Sequence, residues 1–132
     1  MASYNKFTPA IEYLLENINA GSDAWVIKLA TAVDQTAGTI TEVANGNGYT
    51  TGGNAASTSS SSQTGGTYKL VLSSPAAWTA SGAGFSFRYA VLVDSTTSTN
   101  VGYWDYGSSQ AVAAGETVTV TLDGTNGVFQ AT

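Results

Sequence analysis

Any catalysis in this sequence would have to run on carboxylates. The chain has no histidine and no cysteine. That removes serine–histidine–acid triads, histidine general bases, histidine metal sites and thiolate nucleophiles. Nine acids are left: Glu12, Glu16, Asp23, Asp34, Glu42, Asp94, Asp105, Glu116 and Asp123. A glycosidase holds two carboxyl groups at a set distance across a sugar bond. Nothing in the order of residues brings a specific pair together, and most of the acids stand beside turn signals or in a helical segment. Ala44-Asn45-Gly46-Asn47-Gly48 is glycine-rich, but no helical pattern follows to cradle a phosphate, so it reads as a tight turn. The loops Asp94 to Asn100 and Asp123 to Gly127 offer oxygen ligands. Calcium takes about six to eight oxygens, usually with several carboxylates, and each loop supplies a single one. The expectation is a protein that is not an enzyme and holds no metal and no cofactor.

Binding chemistry rests on the aromatic residues. Tyr103-Trp104-Asp105-Tyr106 is the densest cluster. Exposed rings stack on sugars, and Tyr and Trp are enriched at protein interfaces. In an alternating strand Tyr103 and Trp104 face opposite ways, so at least one of them belongs to the core. Core, protein interface and ligand contact all stay open for this cluster. The interface candidates are Tyr49, Trp78, Tyr103 and Tyr106.

The elements that would position these residues follow from periodicity. Thr8 caps a short helix with Pro9 in its first position. Ile11, Leu14, Leu15 and Ile18 form its apolar stripe, and Gly21 stops it. The period then changes to alternation. Trp25, Ile27 and Leu29 share one face of a strand, and a second strand runs Thr39 to Val43. From Ala44 to Gly66 the chain is rich in Gly, Asn, Ser and Thr. It reads as a long surface excursion with one polar strand near Ala55 to Gln63. Tyr68, Leu70 and Leu72 alternate up to Pro75, which cannot donate to a ladder. Trp78-Thr79-Ala80 is a short segment. Phe85, Phe87, Tyr89, Val91 and Val93 form the inward face of a central strand, with Ser86, Arg88, Ala90 and Leu92 opposite. Asp94 to Asn100 turns the chain into Val101 to Tyr106. Val118, Val120 and Leu122 alternate with threonines, and a last strand runs Val128 to Ala131. Many short strands separated by turns predict a mainly β fold, an antiparallel sandwich or jelly roll with one N-terminal helix, as a single domain over 1–132.

The bulk figures narrow the function further. Charged residues make up 10% of the 132 and apolar residues 42%, against about 25% charged in ordinary domains. Such a surface suits contact with other protein. Net charge is −5, and the four cations, Lys6, Lys28, Lys69 and Arg88, are scattered. Nucleic-acid binding needs a clustered basic footprint, so none is expected. The N-terminus lacks a signal peptide's charged and apolar regions, and no apolar run nears bilayer-spanning length. The expectation is synthesis in a cytoplasm with no membrane partner.

The residues also carry a resemblance. Tyr4-Asn5-Lys6-Phe7 and Ile11-Glu12-Tyr13-Leu14-Leu15-Glu16-Asn17 lead into Asp23-Ala24-Trp25-Val26-Ile27-Lys28-Leu29. Ile40-Thr41-Glu42-Val43-Ala44-Asn45-Gly46-Asn47-Gly48-Tyr49, Gly52-Gly53-Asn54 and Ser62-Gln63-Thr64-Gly65-Gly66-Thr67-Tyr68-Lys69-Leu70-Val71-Leu72 follow. Then come Trp78-Thr79-Ala80-Ser81-Gly82, Phe87-Arg88-Tyr89-Ala90-Val91-Leu92 and Gly102-Tyr103-Trp104-Asp105-Tyr106-Gly107-Ser108-Ser109. This order of segments resembles a family of small structural proteins of tailed double-stranded DNA bacteriophages. The resemblance implies a virion protein made in the host cytoplasm. In its commonest form this is a capsid decoration or cement protein on the capsid exterior, with the major capsid protein as partner. It transfers no active-site residues. A neck or tail structural protein and a carbohydrate-binding tail adhesin are the alternatives. Self-association into dimers or trimers is expected, because closed symmetric oligomers are common.

Overall fold

The computed structural model describes residues 2–132. In chain order the elements are β1 (Tyr4–Lys6), α1 (Ala10–Glu16), β2 (Trp25–Asp34), β3 (Thr39–Glu42), β4 (Asn54–Ala55), β5 (Thr58–Thr64), β6 (Thr67–Leu72), β7 (Trp78–Thr79), β8 (Phe85–Asp94), β9 (Thr99–Val112), β10 (Thr117–Val118) and β11 (Phe129–Ala131). The fold is mainly β and sandwich-like, with antiparallel sheets and one short helix. The large sheet runs β1-β9-β8-β2-β3, with β4 also on β2. A smaller sheet runs β11-β6-β5, and β7 pairs β10.

The register of β2 and β8 sorts the core. Trp25, Ile27 and Leu29 stand opposite Asp94, Leu92 and Ala90, while Val26 and Lys28 stand opposite Val93 and Val91. The predicted split of β8 into one inward and one outward face fails past Tyr89. Ala90, Val91, Leu92, Val93 and Asp94 are all buried. β8 lies between β2 and β9 in the middle of the sheet, and a strand covered on both faces reads as a continuous apolar run. Ala90-Val91-Leu92-Val93 is such a run.

The helix is shorter and turned relative to expectation. Pro9 occupies the cap position with no side-chain cap, and the Thr8 N–H donates instead to the Gln35 carbonyl (2.8 Å). The helix closes at Asn17, ahead of Gly21, with the Asn17 N–H donating to the Tyr13 carbonyl (2.9 Å). Ala10 and Tyr13 are buried, whereas Ile11 of the predicted stripe is 51% exposed. The side chain of Leu15 lies outside the described residues. A seven-residue helix is too short to fix its own orientation. The Tyr13 hydroxyl sets it, through bonds to Asp94 and Thr97 on the β8–β9 turn.

The polar excursion holds β4 and β5, and it sends Tyr49 and Ala56 into the core. Gly65 and Gly66, at φ of 60° and 86°, make the two-residue turn that returns β5 into β6, the left-handed geometry such hairpins need. Near the C-terminus the alternation is right about burial and wrong about the ladder. Val118, Val120 and Leu122 are buried, but β10 ends at Val118. The Leu122 N–H donates to the Ser74 hydroxyl (2.9 Å) and not to a neighbouring strand.

Candidate functional site

Three of the four interface candidates lie in the core, which corrects the expectation drawn from residue type. Tyr49 is 2% exposed, Trp78 3% and Tyr103 7%. Tyr49 enters the core because the fold supplies both partners for its hydroxyl. It donates to Glu42 Oε1 (2.7 Å) and accepts from the Leu29 N–H (3.2 Å). Burial and the adjoining Glu42 carboxylate push its phenol well above the usual tyrosine range. Its ring stacks on Trp78 at 6.4 Å and tilts against Phe85 at 6.1 Å. Trp78 Nε1 is buried with no hydrogen-bond partner. Tyr103 packs between Phe7 and Tyr89, at 5.1 and 5.6 Å. Tyr106 faces solvent at 37% exposure, edge-on to Phe87 at 5.3 Å. The β8–β9 register explains why. Phe87 is opposite Gln110 and Tyr89 opposite Asp105, so the intervening part of β9 bulges out and carries Tyr106 with it.

The carboxylates act as fasteners. Glu42 Oε1 also accepts from the Gly52 N–H (2.6 Å), and Oε2 stands 3.4 Å from Lys28 Nζ. This one side chain ties the start of the excursion to β2. Asp105 takes a two-pronged bond from Arg88, Nε to Oδ1 at 2.8 Å and Nη2 to Oδ2 at 3.0 Å, and accepts from the Gly107 N–H (2.8 Å). The Arg88 contact, then the Gly107 N–H, hold the Asp105 carboxyl below its usual range. Asp34, Glu116 and Asp123 accept backbone N–H groups of their own turns, from Ala37, Ala113 and Thr125 respectively.

Asp94 is the acid whose burial sequence reasoning missed. It is 0% exposed. Its Oδ2 accepts from the Tyr13 hydroxyl and its Oδ1 from the Thr96 N–H (3.0 Å). Burial, then the neighbouring Asp23 carboxyl, push its pKa upward against those two donors. The one available signal was an acid closing an unbroken apolar run. An acid whose folded pKa is raised ionises first in the unfolded chain. Its contribution to stability is therefore full below the ordinary aspartate value of about 3.9, and is lost as pH rises through the higher folded value. Asp94→Asn removes the ionisation and keeps one acceptor: its amide oxygen can take the Thr96 N–H, while its NH2 group faces the Tyr13 hydroxyl oxygen and donates to it. Denaturant unfolding across pH should show the variant losing less stability than the parent between acid and neutral pH. Parallel curves would show that Asp94 is not the group responsible.

A groove of about 970 Å³ lies between α1 and the small sheet. Tyr4, Ile11, Leu14, Ile18, Tyr68 and Phe129 line it, and no carboxylate does. No group of three or more potential metal ligands assembles among the described residues. No helix is long and apolar enough to cross a membrane. No protein-family model, no curated protein and no solved structure matches the chain.

Proposed function

We propose that this chain is a non-enzymatic virion structural protein, a capsid decoration or cement protein that bridges major capsid protein subunits on the outside of a phage head. One observation carries the non-enzymatic part. Asp23, Asp34, Glu42, Asp94, Asp105, Glu116 and Asp123 each accept a backbone or side-chain hydrogen bond that closes a turn or ties two segments together. Seven of the nine acids thus serve the fold, which supports a structural reading over a catalytic one. The resemblance described above supports the virion role. So do exposed, uncharged stretches made mostly of Ser, Thr and Gly, such as 59–66 and 106–109. Contacts would spread over these loops, and the bridging would stabilise the shell because a ligand that binds only the assembled state shifts the equilibrium towards it.

The adhesin alternative would draw on exposed aromatics. Among the described residues the exposed large apolar side chains are Ile11 and Tyr106, which is not a row of rings. The test is a reconstruction of the intact particle with the chain located. The expected result is a symmetric array over the joints between capsid subunits. A position in the neck or tail would refute the capsid assignment, and a sugar seated at Tyr106 on a tail tip would establish the adhesin.

A further inference from the structure

The small sheet ends on β5, and β5 is an open edge. In the order β11-β6-β5 its one hydrogen-bonded strand neighbour among the described residues is β6, and Gly21 of the α1–β2 segment lies against the Ser61 side chain without a backbone bond to it. The hairpin register pairs Thr64 with Thr67, Gln63 with Tyr68, Ser62 with Lys69 and Ser61 with Leu70. Across a two-residue turn the flanking pair, Thr64 and Thr67, exchanges hydrogen bonds, and the pattern then alternates. Ser62 therefore bonds inward to Lys69. Ser61 and Gln63 turn their N–H and C=O groups away from β6. A contact on the far side of β6 agrees with this phase, since the Leu70 carbonyl, opposite Ser61, accepts the Val128 N–H of the segment leading into β11 (2.8 Å). No backbone bond within the chain takes up the outward groups of Ser61 and Gln63 among the described residues.

Exposed edges are normally blunted by shortness, by charge or by proline. The other outer strands follow that rule. β1 and β11 have three residues each, β1 carries Lys6, and β3 has four residues and ends on Glu42. β5 has seven residues, Thr58-Ser59-Ser60-Ser61-Ser62-Gln63-Thr64, with no charge and no proline, in a chain of net charge −5. Its irregularity lies between Thr58 and Ser60, which leaves Ser60 to Thr64 regular.

We propose that β5 is a self-association surface, and that two copies of this chain pair it antiparallel about a two-fold axis through Ser62. That axis sets Ser61 opposite Gln63 of the second copy and Gln63 opposite its Ser61. Both residues point their backbone groups outward, so each of these pairs exchanges two hydrogen bonds. Ser62 meets its own copy as a non-hydrogen-bonded pair, and Ser60 meets Thr64. Every cross-strand pair is hydroxyl or amide, a favourable class, and no like charges stand directly opposite. The strand is complementary to itself in this register, which an isologous contact requires. The two small sheets become one continuous six-stranded sheet, β11-β6-β5 followed by the same strands of the copy in reverse. The inference does not depend on the capsid reading, because it concerns the free chain.

The test is the mass of the purified protein against concentration, by sedimentation equilibrium. The parent should move from monomer towards dimer as concentration rises. Ser62→Lys puts two ammonium groups across the axis and should abolish the dimer. Ser61→Pro deletes one outward N–H, the position at which an edge strand tolerates proline, and should abolish it too. Unchanged far-ultraviolet circular dichroism would show that both variants still fold. Ser62→Cys, in a chain without cysteine, should cross-link to a dimer under diamide, since directly opposite Cβ atoms in such pairs lie about 4.5–5.5 Å apart. Ser108→Cys, on the exposed part of β9, should not. A monomer at every concentration, or a dimer that persists in both edge variants, would overturn the proposal.

Discussion

Trp25→Ala is expected to destabilise the fold by about 3–5 kcal/mol, the usual cost of truncating a buried large aromatic side chain. Trp25 opens β2 and is 2% exposed. Its ring packs edge-on against Phe129 of β11 at 6.0 Å, so it joins the large sheet to the small one. Its Nε1 donates to the Ala20 carbonyl (2.9 Å), which ties down the segment between α1 and β2. Truncation opens a cavity between the sheets and leaves that carbonyl without its donor, and both effects act in the same direction. Urea unfolding of parent and variant measures the difference. Ile11→Ala, at a side chain 51% exposed, is the internal comparison and should stay within about 0.5 kcal/mol of the parent. A Trp25→Ala protein as stable as Ile11→Ala would mean that the sheets are not packed through this ring.

Gly53→Ala should be nearly as damaging although it adds a single methyl group. Gly53 has φ of 72°, a left-handed conformation that costs an L-residue about 1–2 kcal/mol. A Cβ built there also overlaps the carbonyl oxygen of Ile27, backbone of the interior strand β2. That atom cannot swing aside as a side chain would, and forced overpacking adds about 1–3 kcal/mol. The excursion must lift off β2. The losses expected with it are the β4 pairing, Val26 to Ala55 and Ile27 to Asn54, and the bond from the Ala56 N–H to the Trp25 carbonyl. Gly52→Ala is the matched control. It also has positive φ, 104°, but its Cβ would meet nothing. The difference between the two variants in chemical denaturation isolates the collision from the strain. Equal losses would show that backbone conformation alone matters and that the close approach does not.

Much of the fold was legible along the chain because local rules decide it. Trp25, Ile27 and Leu29 alternate, and a strand with one buried face alternates for that reason. The polar residues after Asp94 turn the chain from β8 into β9, as expected, because turn chemistry is local. The absence of histidine and cysteine removes whole classes of chemistry without reference to any fold. What the chain could not disclose is which partner each side chain meets. Tyr13 stands outside the expected stripe of Ile11, Leu14, Leu15 and Ile18, yet it orients α1, because Asp94 arrives beside it from more than eighty positions away. Tyr49 and Trp78 have the composition of interface residues. They are core residues here because Glu42 and the Leu29 N–H satisfy the Tyr49 hydroxyl in the interior and because the two rings stack. Residue type states what an aromatic can bind. Only tertiary structure decides whether that partner is another molecule or the chain itself, since a polar tip is buried at low cost only where the fold delivers a donor or acceptor to meet it.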